Sequence, residues 1–423
     1  MTALSRRSFL ATSAGIAALA AAGGTLAGCS SGDDGKVHLE LFQFKSEAID
    51  LFTKICDDFN AANPDVVVTQ NFQADNVTAL RARLVKGDMP DMMTINGDYN
   101  YGALARTGIF RDFTDTGMLD GVNPTMANIL NTLGTGGDGQ TNGVAFADNG
   151  SGIIYNKDIF EKAGVEPPTT WAELIEVCDE LQAQGINPFY WATKDNWTGA
   201  PAFSSLSGDF LTDGVAAWYD KRREIGNGMS FKELTPVFEK MHQAYQYGNS
   251  NKAGLGYNDG NQGFAQGKGA MYWHGTYAIP AIRSYNKDIN LGTFATPADD
   301  AKDTKVVSGV DVALTMGTDP AHPEENMRFF QYLMDKANMK AYCDEQVAYP
   351  TLTTLSATDP ALEGLQQYFD DERLATYSDH NFPPAITLNA YIQQYFFDGD
   401  LDKLITTLDT QWNKVVKRIN ETS

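Results

Sequence analysis

Between residues 37 and 95 the chain switches period four times, and that pattern limits the folds open to it. "VHLELFQF" alternates apolar and polar residues, the two-residue period of a strand. "SEAIDLFTKICDDFNAANPD" then places Ile49, Phe52, Ile55, Cys56 and Phe59 on one helical face and stops at Pro64. "VVVTQNF" is a second strand, "NVTALRARLVKGDMPD" a second helix ending at Gly87, and "DMMTI" a third strand. Strands and helices in strict alternation predict an open α/β sheet. Such sheets bind ligands beyond the C-terminal ends of their strands. Here those ends are Gln43–Lys45 and Asn96–Asp98, and both are polar.

A second α/β pattern starts near residue 150. "SGIIYNKDIFEKAGVEPPTTWAELIEVCDELQAQGINPFYW" reads as strand, helix, proline turn, helix, strand. Thr170 with Glu173 forms a capping box, and Gly185 supplies the stop. Helical segments dominate 200–270, "GKGAMYWHG" is a strand entering a glycine, and "INLGTFATP" and "KVVSGVDVALTM" are two more strands. The C-terminal part is mostly helical, including "PEENMRFFQYLMDKANMKAYC". No repeat or low-complexity linker follows residue 36, so domains must be joined by strand crossings. The glycine-punctuated candidates are 143–152, 272–277 and 308–314.

The N-terminal stretch is an address rather than fold. Arg6-Arg7 precedes Phe9-Leu10 and a mild Ala/Gly-rich run ending in "LAGC", Leu26 to Cys29. A twin-arginine pair before a weakly apolar run is the mark of the folded-protein export route. "LAGC" resembles the bacterial lipobox. The glycine-interrupted run is too short and too weak for a membrane span. The expectation is a signal peptide over 1–28, lipidation at Cys29, and a flexible tether over 29–36.

The formal net charge of −22 disfavours nucleic acid, because a dispersed acidic surface repels phosphate. The other cysteines, Cys56, Cys178 and Cys343, have no metal or redox spacing and read as buried thiols.

In order along the chain stand the lipobox, "GDMPDMMTINGDY", "GVAFADNGSGIIYNKDIFEKAGVEPPTTWAELIEVCDEL", "FAQGKGAMYWHGTYAIP" and "FATP". Together they resemble the extracellular solute-binding proteins of bacterial carbohydrate ABC importers, the group that includes maltodextrin-binding proteins. The resemblance implies a two-lobe periplasmic-binding-protein-like α/β fold, type II-like, with a ligand cleft between lobes and about three crossings. It places 37–147 plus 276–315 in one lobe and 148–275 plus 316–423 in the other. It implies a monomer that hands its ligand to membrane permease subunits, with no cofactor and no metal.

Within the group the chain is most similar to actinobacterial binders of α-1,6-linked oligosaccharides, of raffinose and isomaltooligosaccharide type. That subgroup's grip on a terminal pyranose maps onto Lys45 in "FQFKSE", Asn96 in "TINGD", Asp311 in "SGVDVA" and the pair Asp379-His380 in "YSDHN". Two residues earlier the subgroup favours Phe as a stacking platform, and this chain has Tyr377. Trp197 and Tyr277 are expected at the outer sugar units. By its chemistry Trp273 is a further candidate platform, but Tyr272 and Trp273 alternate, so one of the two belongs to the core. Asn149 and Ser151, in the first crossing, either bond the sugar or shape the hinge.

The chemistry suits these residue types. A sugar presents hydroxyls that both donate and accept, and two apolar C–H faces. Carboxylates accept two hydroxyl protons, Lys, Asn and His donate, and flat aromatics cover the faces. Blander readings stand beside this one. Lys45 could be a surface lysine and Asn96 a turn residue. Asp311 sits in an apolar strand where an unpaired carboxylate is costly, so it bonds either ligand or hinge. His274 serves the crossing. A ligand of maltodextrin or β-linked type remains an alternative. A surface glycoside hydrolase also uses paired carboxylates and aromatics, but no eightfold strand repeat and no nucleophile, zincin or phosphate-loop motif supports an enzyme. A structural surface lipoprotein would explain the anchor but not Asp311.

Overall fold

The computed structural model describes residues 35–134 and 139–422, and the folded body starts at Val37. The expected signal peptide and Cys29 lie outside the described residues. In chain order the strands are β1 (Val37–Gln43), β2 (Val66–Phe72), β3 (Met92–Ile95), β4 (Val144–Ser151), β5 (Ile153–Asn156), β6 (Met271–Tyr272), β7 (Leu291–Phe294), β8 (Val306–Thr315), β9 (Tyr349–Pro350) and β10 (Leu374–Ala375).

The larger sheet has the order β2-β1-β3-β8-β4-β9, with β10 added beside the start of β8. β1 runs parallel to β2 and β3, as the early strand–helix alternation requires, while β8 is antiparallel to both β3 and β4. The helix Ile49–Ala62 covers this sheet with Leu51, Phe52, Ile55, Cys56 and Phe59, the face anticipated from its period except that Leu51 is buried in place of Ile49. The same core takes in Val310, Val312, Ala313, Leu314 and Met316 and, from the segment after them, Phe329, Phe330, Leu333, Met339 and Tyr342.

The smaller sheet, β6-β5-β7, belongs to a second body. It is covered on both faces, and its two-residue period sorts side chains between two cores. Ile153, Met271, Trp273 and Phe294 point into one, with Trp171, Trp191 and Trp412. Ile154, Tyr272 and Leu291 point into the other, with Phe264, Ile279 and Ile282.

These cores redraw the expected lobe boundaries. Residues 276–295 pack with the second body, because Ala278, Ile279 and Ile282 share a core with Phe264 and Tyr272. The helices Pro323–Met334 and Lys336–Gln346 pack with the first. The stretch 272–277 is therefore not a crossing. The chain passes between bodies at the β4–β5 junction, along β8, and between β9 and the helix Glu363–Asp370, which packs on β7. The first passage is tight. A Cβ on Gly152 would lie 2.5 Å from the carbonyl oxygen of Phe294.

Two local expectations also change. "NPFYW" forms only isolated bridges at Phe189 rather than a strand. The helix expected over 323–343 breaks at Asp335, whose carboxylate accepts the Ala337 N–H and starts a second helix. The Thr170–Glu173 capping box forms as read. Cys56, Cys178 and Cys343 are free and buried, and burial pushes the Cys56 thiol up to about 12. No helix among the described residues is long and apolar enough to cross a membrane.

Candidate ligand site in the cleft

A cavity of about 490 Å³ opens where the two bodies meet. That volume lies within the range of small-molecule sites. The first body contributes Phe44, Lys45 and Glu47 after β1, Ala74 after β2, and Asn96 after β3. The crossing strands contribute Asn149 and Gly309–Asp311. The second body contributes Trp197, Pro201, Tyr277, Tyr377, Asp379, His380 and Asn389.

The strand ends are held rigidly. Gln43 is fully buried, and its Oε1 accepts the Lys45 N–H at 2.6 Å, which sets the direction of the chain after β1. The Lys45 ammonium, 4 % exposed, donates to the Asp311 carboxylate and lies 3.1 Å from Glu47 Oε1. Burial alone would depress the ammonium's pKa, yet the charges of Asp311 and Glu47 outweigh it and raise the value. Burial works upward on Glu47, and the Lys45 charge overrides it and lowers the carboxyl.

Asn96 sits in a turn fixed at both ends. The Gly97 N–H donates to the Val310 carbonyl at 2.8 Å, and Asp98 caps the helix Tyr99–Ala105. Asn96 Oδ1 itself is buried and has no protein partner. An unpaired buried amide oxygen at a cavity wall costs free energy that a ligand donor would recover.

The second wall is built from rings and one loop. After β10 pairs with β8, the loop runs through Tyr377 into the single turn Asp379–Asn381. The Tyr377 hydroxyl donates to Asn149 Oδ1 at 2.7 Å and lies 2.7 Å from Ser151 Oγ. Its ring stacks on His380 with centroids 4.6 Å apart, so one face is taken. The Asp379 carboxylate accepts the Ser204 hydroxyl, and the Asp379 N–H donates to the same oxygen at 3.2 Å. Trp197 stands edge-on to His274, centroids 5.6 Å apart, beside Tyr257 and Tyr277. His274 is buried, and burial lowers its pKa to about 3, so the imidazole is neutral at physiological pH.

Lys45, Asn96, Asn149, Trp197, Tyr277, Asp311, Tyr377, Asp379 and His380 thus line one cavity. Ser151 does not line it and acts one bond behind, on the Tyr377 hydroxyl. Trp273 is displaced altogether. It is 1 % exposed and packs on Phe189, Trp191 and Trp171, because the smaller sheet is buried on both faces. The reading of Trp273 as a ligand platform is corrected accordingly. Glu47 and Asn389 were missed. Glu47 had a signal, two residues beyond Lys45 on the same strand end, whereas Asn389 lies in a helix that carries no such mark.

Chemically the cavity offers three carboxylates against one ammonium, an imidazole, three amides and several rings. That set accepts hydroxyl protons and opposes anions. Among the described residues no group of three or more His, Cys, Asp or Glu could hold a metal.

Comparison with known proteins agrees with this architecture. Residues 45–340 match the family described as bacterial extracellular solute-binding protein. The multiple sugar-binding protein of Streptococcus mutans is 28 % identical over 322 residues, 74 % of this chain and 75 % of that protein. The melibiose/raffinose/stachyose-binding protein MelE of Bacillus subtilis is 22 % identical over 374 residues, 85 % of each chain. Among solved structures, the SBP RafE in complex with raffinose superposes with a TM-score of 0.77 at 24 % identity, covering 90 % of this chain and 99 % of that one.

Proposed function

The chain belongs to the bacterial extracellular solute-binding protein family, and on that premise we propose that it captures short α-1,6-linked oligosaccharides for an ABC importer. Its work is binding rather than catalysis, as in its relatives. The observation that carries the sugar reading is the composition of the cavity wall. Asp311, Glu47 and Asp379 supply acceptors, Lys45 and His380 supply donors, and the orphaned Asn96 Oδ1 waits for a hydroxyl. Three carboxylates facing one ammonium oppose a phosphate or carboxylate solute and favour a neutral polyol. The names of the relatives that bind raffinose, melibiose and stachyose support the α-1,6 linkage.

In this reading a terminal pyranose sits between Lys45, Asn96 and Asp311 on one side and Asp379-His380 on the other. Trp197 and Tyr277 lie against the next sugar units. Closure of the two bodies about the crossings is favoured by contacts made to both walls at once. The closed monomer docks on the membrane permease. Arg6-Arg7 direct export by the twin-arginine route, and a lipid on Cys29 holds the protein at the outer face of the membrane.

Calorimetry with raffinose, isomaltotriose, maltotriose and cellotriose tests the assignment. The expected result is binding near −8 kcal/mol, about micromolar, for the first two, with the sugars recovered intact. Asp311→Ala and Asp379→Ala should each weaken it at least about tenfold, the worth of a charge-assisted hydrogen bond. Tighter binding of maltotriose or cellotriose would overturn the α-1,6 reading. Cleaved sugar would overturn the binding reading.

A further inference from the structure

A second cavity, of about 260 Å³, adjoins the first. His380 lines both. Like the first, it lies between the two bodies. Tyr99, Arg106 and Leu133 face it from the first body, and Ala216, Arg223 and Asn420 from the second. Tyr99 begins the helix that Asp98 caps, directly after the Asn96 turn, so one rigid strand end supplies both cavities. The outer groups are those a sugar ring needs. Arg106 donates to the Leu133 carbonyl and its guanidinium lies 5.7 Å from the Tyr99 ring centre. Arg223 pairs with Asp220. A guanidinium has five N–H donors, more than these contacts use.

We propose that this cavity is a further sugar subsite, reached past His380, so that the cleft selects chains longer than the central cavity holds. The proposal rests on the sugar-binding reading of the central cavity and specifies its substrate length. Because each body supplies one guanidinium, Arg106 and Arg223 face each other across the cleft. A polyol between them accepts hydrogen bonds from both, and a chain bridging the two bodies favours closure more than a short one does. A chain long enough to enter it places an internal unit, rather than its terminal pyranose, in the central grip, and His380 then bonds hydroxyls on two consecutive units.

Calorimetry over an isomaltooligosaccharide ladder of two to six units, repeated with Ala216→Trp, tests it. Ala216 is half-buried at this cavity and lies outside the central one. The wild type should gain about tenfold in affinity once the chain outgrows the central cavity, roughly the worth of one more stacked and bonded ring. Ala216→Trp, which fills the space, should erase that gain and leave the shortest bound sugar within about twofold. Tyr99→Ala, which adds no bulk, should reduce the same gain and serves if the tryptophan variant is misfolded. Two results overturn the subsite while the central cavity stands. One is a ladder without a step. The other is a step that survives both substitutions. Failure of every ladder member and of raffinose to bind the wild type would overturn the sugar reading, and the subsite with it.

Discussion

The two walls of the cleft are built on different principles. The first is electrostatic. Lys45 pairs with both Asp311 and Glu47, beside strand ends that Gln43 and Asp98 hold in place. The second is made of rings and one loop, Trp197, Tyr277, Tyr377 and His380, with His274 neutral behind them. A wall of buried charges is rigid, because any displacement separates the charges in a poorly solvated site. A wall of rings and loops tolerates small shifts. On the proposed sugar-binding reading, the contrast assigns orientation of the ligand to the first wall and adjustment during closure to the second.

Breaking the first wall should give the largest effect. Lys45→Met leaves the Asp311 carboxylate, 6 % exposed, beside Glu47 with no cation between them. Losing one partner of a buried ion pair costs about 3–5 kcal/mol. Denaturant unfolding at pH 7 should show that loss, and raffinose binding should vanish in calorimetry. A variant of wild-type stability would mean that the ammonium is solvated, and the walls would no longer differ as argued.

The walls also differ in the pH range that weakens them. Glu47 is held below its ordinary pKa, so its contribution is present above about 4.3 and is lost only as pH falls through the lowered folded value. His274 is held at about 3 in the fold, against about 6.5 when unfolded. The unfolded chain therefore takes up a proton that the folded chain refuses. Stability attributable to His274 is full above about pH 6.5 and drains as pH falls toward 3. Between pH 7 and 5 stability should drop by on the order of 1–2 kcal/mol on this account, before Glu47 contributes. His274→Gln should flatten that interval. An unchanged slope in the variant would show that the imidazole is protonated in the fold.

Much of the first wall was legible in the sequence. Open α/β sheets bind at the C-terminal ends of their strands, and Lys45 after β1 and Asn96 after β3 stand at two polar strand ends that the structure brings to one cavity. The second wall was legible only through the family resemblance, since nothing in the period of "TYSDHNFPP" sets its direction. Trp273 was misread because a strand covered on both faces buries every residue, so alternation no longer separates core from site. The lobe boundary near 276 was misread for a related reason. A glycine after a short strand marks a turn, and only the packing of Ile279 and Ile282 shows on which side the chain stays. Glu47 needed nothing beyond the observation that a buried ammonium attracts every carboxylate within reach.

The smallest effect falls where the walls touch. The Tyr377 hydroxyl bonds Asn149 and approaches Ser151, both on β4, and so ties the loop of the second wall to a crossing strand. Its ring packs against Gly309, where a Cβ would lie 2.9 Å away, so the side chain is positioned by its surroundings even without the hydroxyl. Tyr377→Phe keeps the ring, and the subgroup that this chain resembles favours Phe there. The loss should be about 1 kcal/mol in stability, one net hydrogen bond, with Asn149 Oδ1 freed to accept from a ligand. Raffinose affinity should therefore change less than about threefold while the melting temperature falls. A large affinity loss with little change in melting temperature would show that the hydroxyl itself contacts the ligand, and the second wall would then orient the sugar as strictly as the first.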